Sequence, residues 1–133
     1  MLFLPTDHNT IIAATNNGIY KSTDAGDNWT LQSVSDIEVQ DICYKPGTKG
    51  QTIYATASKN FYRSLDAGNS WTEITSPAFV FGANGTRVSV CEADPNIVYV
   101  ANVGAGAIGE IYRSTDGGST FTNMRTTTDC LAG

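Results

Sequence analysis

The stretch GIYKSTDAGDNWTLQ occupies residues 18–32, and nearly the same phrase returns as NFYRSLDAGNSWTEI at 60–74 and EIYRSTDGGSTFTNM at 110–124. The repeated aspartates, Asp24, Asp66 and Asp116, are separated by 42 residues and then by 50. Periods of roughly 40–50 residues belong to propeller blades and related arrays, in which one supersecondary unit is stacked several times. Each copy also carries the same run of strand signals. An apolar-polar run enters a Pro or Gly turn (LFLPTD, VQDICYKPG, RVSVCEADP), and a β-rich run follows (TIIAAT, TIYATA, NIVYVANV). An aromatic strand, the aspartate turn and a last short strand complete the unit. This predicts four strands per repeat and twelve in all, with no segment holding the i, i+3, i+4, i+7 pattern of a helix. The second strand of each repeat is almost continuously apolar, as when sheets are stacked on sheets. The expected fold is all-β: three four-stranded antiparallel β-propeller blades, part of a larger or oligomer-completed propeller. Blade 1 is expected at about 1–35, blade 2 at about 36–77 and blade 3 at about 84–125, with a tail over 126–133.

Within the repeat, the shared pattern is Ser-x-Asp-x-Gly-x-x-aromatic. It is carried by Ser22, Asp24, Gly26 and Trp29, by Ser64, Asp66, Gly68 and Trp71, and by Ser114, Asp116, Gly118 and Phe121. A hairpin turn has to happen inside it. A short aspartate accepts backbone N–H bonds from the residues just ahead, serine adds a hydroxyl, and glycine two positions later supplies a positive φ. The aromatic opens the returning strand and is placed to seal the turn against the preceding blade. Catalysis by paired carboxylates needs two acids facing one substrate, whereas these three radiate on separate blades. A calcium loop needs ligands at alternate positions, and Asp24 is followed by Ala25, Gly26 and Asp27. The aspartates read as structural, and no metal or cofactor is expected.

The chain is 133 residues long with a formal charge of −5. That balance, without any basic run, argues against nucleic acid or anionic membrane as a main partner. No apolar run approaches the ~20 residues that cross a bilayer, and MLFLP is shorter than the roughly 7–15 residues of a signal core. Cys43, Cys91 and Cys130 show no metal spacing beside the single His8. They read as free, mostly buried thiols, a Cys43–Cys91 bridge being the alternative.

These motifs resemble the Asp-box, or BNR repeat, of the form S-x-D-x-G-x-x-W, together with its lead-in G-[IF]-Y-[KR]-S. The resemblance covers essentially the whole chain, with Phe121 standing for Trp in the third copy. The family includes sialidases, xyloglucanase-like glycoside hydrolases, sortilin-type receptors and a photosystem II assembly factor. It implies a β-propeller with its boxes on the blade periphery, away from the ligand face, in an extracellular or periplasmic protein. A sialidase would need an arginine triad and an Arg-Ile-Pro segment; the chain has Arg63, Arg87, Arg113 and Arg125 and no such segment. Lys21, Arg63 and Arg113 hold equivalent places before the boxes and read as braces of the blade surface. Asp36, Glu38, Asp41, Glu92 and Asp94 match no catalytic motif and read as solvated surface. By itself the chain is expected to act as a scaffold with a glycan-binding surface; a parent enzyme would be a glycoside hydrolase. The other reading is a protein-interaction propeller of the sortilin or assembly-factor kind.

Loop lengths single out one candidate ligand face. TSPAFVFGANGTR (75–87) and NVGAGAIGE (102–110) are both long and are expected on the same face of the third blade. Phe79 and Phe81 could offer a flat apolar platform with Asn84, Arg87 and Asn102 as polar donors around a sugar. The competing role for the two rings is packing beneath the loop. Propellers close with about 4–8 blades, so three need company. The start inside a strand and the tail RTTTDCLAG suggest a piece of a longer chain; two copies closing six blades is the alternative.

Overall fold

In the computed structural model, which describes residues 1–81, 85–103 and 109–124, the chain forms twelve strands in three antiparallel meanders. The first sheet joins β1 (Leu2–Leu4), β2 (Asp7–Thr15), β3 (Gly18–Ser22) and β4 (Thr30–Ser35) in chain order. The second joins β5 (Val39–Tyr44), β6 (Ile53–Ala57), β7 (Phe61–Ser64) and β8 (Thr72–Glu73). The third joins β9 (Thr86–Val90), β10 (Val98–Asn102), β11 (Glu110–Ser114) and β12 (Thr122–Asn123). These are three propeller blades. The expected tail and Cys130 lie outside the described residues.

The core is divided between the two gaps that separate the blades. Leu4, Ile12, Ile19 and Val34 of the first blade meet Val39, Ile53 and Ala55 of the second. Tyr54 and Phe61 of the second meet Val88, Val98, Val100, Tyr112 and Phe121 of the third. Alternation along β6 explains how one strand serves both gaps. Ile53 and Ala55 point toward the first blade, while Tyr54 points toward the third.

Among the described residues, only the middle blade is covered on both sides. β6 is buried at all five positions, as its unbroken apolar run requires. β10 alternates instead, leaving Tyr99 39% exposed on the face turned away from the second blade. Three similar sequences thus give different burial because their neighbours differ. On the far side of the first blade Phe3, Trp29 and Leu31 are exposed, and on the far side of the third Tyr99 and Ile111.

Cys43 and Cys91 are both free thiols, each half-buried. Desolvation, with Asp41 nearby, pushes the Cys43 thiol up to about 12, which keeps it protonated and unreactive at neutral pH.

Candidate functional site

Each box is a knot of hydrogen bonds tied by its serine and aspartate. In the third, Ser114 Oγ donates to Asp116 Oδ1 at 2.7 Å and accepts from Gly118 N at 2.9 Å. Asp116 also accepts from Thr120 N at 2.9 Å, Thr120 Oγ1 at 2.6 Å and Ser119 N at 3.0 Å. Asp66 is held alike by Ser64 Oγ, Ser70 N and Ser70 Oγ. Asp24 takes Ser22 Oγ, Asn28 N and Asn28 Nδ2. Donation by Asn28 and Ser22 holds the Asp24 carboxyl at about 2, below its ordinary value of 3.8. Asp116 is lowered as well, chiefly by the Thr120 hydroxyl and against a smaller desolvation effect. Carboxylates held this firmly ionised make poor general acids at neutral pH.

Two residues of each turn, not one, occupy the left-handed region. Gly26 and Gly68 have the expected positive φ, but so do Ala25 at 60° and Ala67 at 58°. The third box has Gly117 at that place, at 69°. The polar side chain four residues after each aspartate, Asn28, Ser70 or Thr120, also escaped the sequence reading. Its signal was a donor at the same offset in all three copies.

The boxes clasp the blade before them. Lys21 Nζ of blade 1 donates to Ala67 O at 2.9 Å and to Asn69 Oδ1 at 2.8 Å in the second box. Arg63 of blade 2 does the same to Gly117 O at 3.1 Å and Ser119 Oγ at 2.8 Å in the third. The buried Tyr54 hydroxyl joins it on Gly117 O at 2.9 Å. Lys21 and Arg63 therefore brace one blade against the next, rather than the surface of their own blade. Trp71 packs into the first gap and Phe121 into the second, as the sealing role requires. Trp29 stays 40% exposed, its indole N–H on Gly26 O at 2.9 Å.

The opposite face carries the longer loops, which meet where Val103 N donates to Gly85 O at 2.8 Å. Phe79 and Phe81 stack at 4.5 Å between ring centroids, both edge-on to Tyr112. Phe79 also touches Phe61 and Phe121, and the Tyr112 hydroxyl pins the loop by accepting from Val80 N and donating to Val80 O. Both rings are half-buried and pack against the second core cluster. One side of Phe79 lines an open cleft of ≈ 180 Å³ with Lys59, Asn60, Glu73, Thr75 and Ser76. There Asn60 Nδ2 donates to Glu73 Oε1 at 2.7 Å.

Arg87 and Asn102 sit at the inner end of the third blade, cross-strand from Ala101 and Thr86 respectively. Arg87 is exposed and donates to Thr86 O at 2.9 Å; Asn102 is buried. Asn84 lies outside the described residues. Of the acidic candidates, Asp41 is structural, its Oδ2 accepting from Val88 N of the next blade at 3.0 Å. Asp94 Oδ1 accepts from Asn96 N at 3.1 Å within its own turn. Between the inner strands β1, β5 and β9 lies a second open cleft of ≈ 320 Å³. Among the described residues, no group of three or more His, Cys, Asp or Glu could hold a metal ion.

Comparison with known proteins agrees with this geometry. Over 96% of its length the chain superposes on an ancestral GH74 enzyme with a TM-score of 0.80 and 21% identity. A structure of YCF48 bound to D1 peptide matches 91% of the chain, with a TM-score of 0.60 and 16% identity. The chain spans 18% of the first protein and 38% of the second. No curated protein gives a significant match. The sequence model of the Sortilin-Vps10 family (Sortilin, neurotensin receptor 3) matches residues 17–131. The chain belongs to that family, one of the Asp-box propeller families.

Proposed function

We propose that these blades act as a propeller scaffold that binds carbohydrate on the face opposite the Asp-boxes, in the cleft beside Phe79. The observation that carries this reading is the make-up of that cleft. An aromatic ring stands next to a carboxylate, an amide and an ammonium group around an open cleft of ≈ 180 Å³. Apolar ring contact with a few placed donors and acceptors is how small-ligand sites obtain both affinity and orientation. Phe81 backs Phe79 from within the loop, while the exposed Arg87 would extend the surface toward the inner strands. Chemistry on the glycan is left to residues beyond these blades, since the box carboxylates are consumed by their turns. The reading carries with it an extracellular or periplasmic location, where such glycans are met.

Glycan-array binding followed by titration of the best oligosaccharide tests the idea. Lys59→Ala and Glu73→Gln should weaken the titrated affinity about tenfold each with no change in thermal stability beyond ~1 kcal/mol. Binding untouched by either change would remove the cleft from consideration. A second reading, peptide capture, is favoured by the likeness to YCF48, solved with a D1 peptide bound. Retention of a peptide library with no response to any glycan would establish it instead.

A further inference from the structure

The clasp between blades has two halves, and among the described residues one of each is unmated. The donor half is a cross-strand pair on the second and third strands of a blade. It is Ile12 with Lys21 in blade 1, Tyr54 with Arg63 in blade 2, and Tyr99 with Arg113 in blade 3. The acceptor half is the box of the following blade: the carbonyl after the aspartate and the side chain two residues further on. That is Ala67 with Asn69 for Lys21, and Gly117 with Ser119 for Arg63. Blade 3 repeats the Tyr–Arg donor pair of blade 2, yet Tyr99 is 39% exposed and Arg113 makes no hydrogen bond among the described residues. Blade 1 offers the acceptors Ala25 O and Asp27, both residues exposed. The same position holds a neutral Asn69 or Ser119 in the mated boxes and a carboxylate, Asp27, in the unmated one.

We propose that blade 3 of one copy of this chain docks on blade 1 of a second copy, with Tyr99 and Arg113 clasping the Ala25 carbonyl and the Asp27 carboxylate. Two such junctions close six blades, a permitted propeller size. The apolar surfaces beside the clasp agree: Phe3, Trp29 and Leu31 on one side, Ile111 and Met124 on the other, are all exposed. A junction of this kind is head-to-tail, so closure, not self-complementarity, limits its size. The carboxylate makes the outer clasp charge-assisted and directional, since like charges brought together there are strongly disfavoured.

Light scattering behind size exclusion, over a hundredfold range of concentration, tests the proposal with the full chain. The expected mass is that of two chains. Arg113→Asp and Asp27→Arg each place like charges at both junctions and should raise the dissociation constant about a hundredfold. Mixing the two single variants should restore association, because each junction then pairs opposite charges. Circular dichroism of each variant keeps a folding defect from passing as a docking defect. A monomer at every concentration overturns the proposal, as it would if further blades of the same chain were the natural occupant. So does a dimer indifferent to both single substitutions, or a mass that climbs without limit.

Discussion

The first box and the second have the same residues at their defining positions and opposite surroundings. Gly68 is buried over Ile12 of the preceding blade, and a Cβ built there would stand 2.4 Å from Ile12 Cδ1. Gly26 faces no preceding blade; the nearest atoms to its Cβ, on Trp29 and Ile11, are at 3.7 and 3.8 Å. The difference teaches that the motif does two separable jobs. The serine and aspartate build the turn wherever it stands, and the glycine and aromatic dock it only where there is something to dock on.

Alanine at the two glycines gives the largest expected contrast. Gly68→Ala adds a steric conflict with a fully buried isoleucine to the backbone strain of a positive φ, for a loss of about 3 kcal/mol. Gly26→Ala meets only the strain, about 1 kcal/mol. Urea denaturation of both variants measures the contrast, and equal losses would mean that the box glycine serves the turn alone.

Acid should act on the other job, and in the same direction in all three boxes. A carboxyl held at about 2 against an ordinary 3.8, as in Asp24, binds its proton less readily folded than unfolded. Its contribution is complete above about pH 4 and disappears as the pH falls toward 2. Solvent screening at these exposed groups keeps each effect below that of the buried clash. Thermal melts between pH 6 and 2 should therefore fall mainly below pH 4, and Asp116→Asn should flatten the curve. An unchanged slope in that variant would show the carboxylate to be idle in the turn.

The smallest expected effect is a gain. Ala25 and Ala67 hold a left-handed conformation that the third box gives to Gly117. Ala25→Gly and Ala67→Gly should each stabilise by roughly 0.5–1 kcal/mol, strain relief outweighing the extra freedom of the unfolded chain. A loss at either site would mean that the alanine methyl contributes contacts worth more than the strain.

Blade architecture was legible in the sequence because turn chemistry is local: a serine, an aspartate and a glycine at fixed offsets carry their own geometry. The left-handed alanines were not, since alanine gives no composition signal for a positive φ and only the parallel with Gly117 hinted at it. The clasp was half visible. Lys21, Arg63 and Arg113 could be aligned and read as braces, but that the first two reach the next blade depends on partners 46–56 residues away. On the candidate site, sequence brought Phe79 and Phe81 together and named packing as their competing role. It could not say that Phe61, Tyr112 and Phe121 would surround them. Nor did anything local mark Lys59, Asn60 and Glu73, which come from a short turn and a strand end that look like ordinary solvated surface.

The Tyr54 and Arg63 bonds to Gly117 O run from one unit to the box of its successor. Such an array has a reading direction, like beads that thread only one way. A unit moved from the front of the chain to the back would present its box to the donor pair of the third blade, so circular permutation should exchange one junction for another of the same kind. Growth or loss of whole units during descent would likewise leave the remaining contacts intact. In a protein of this kind, length can change by whole units while the rule joining neighbours stays the same.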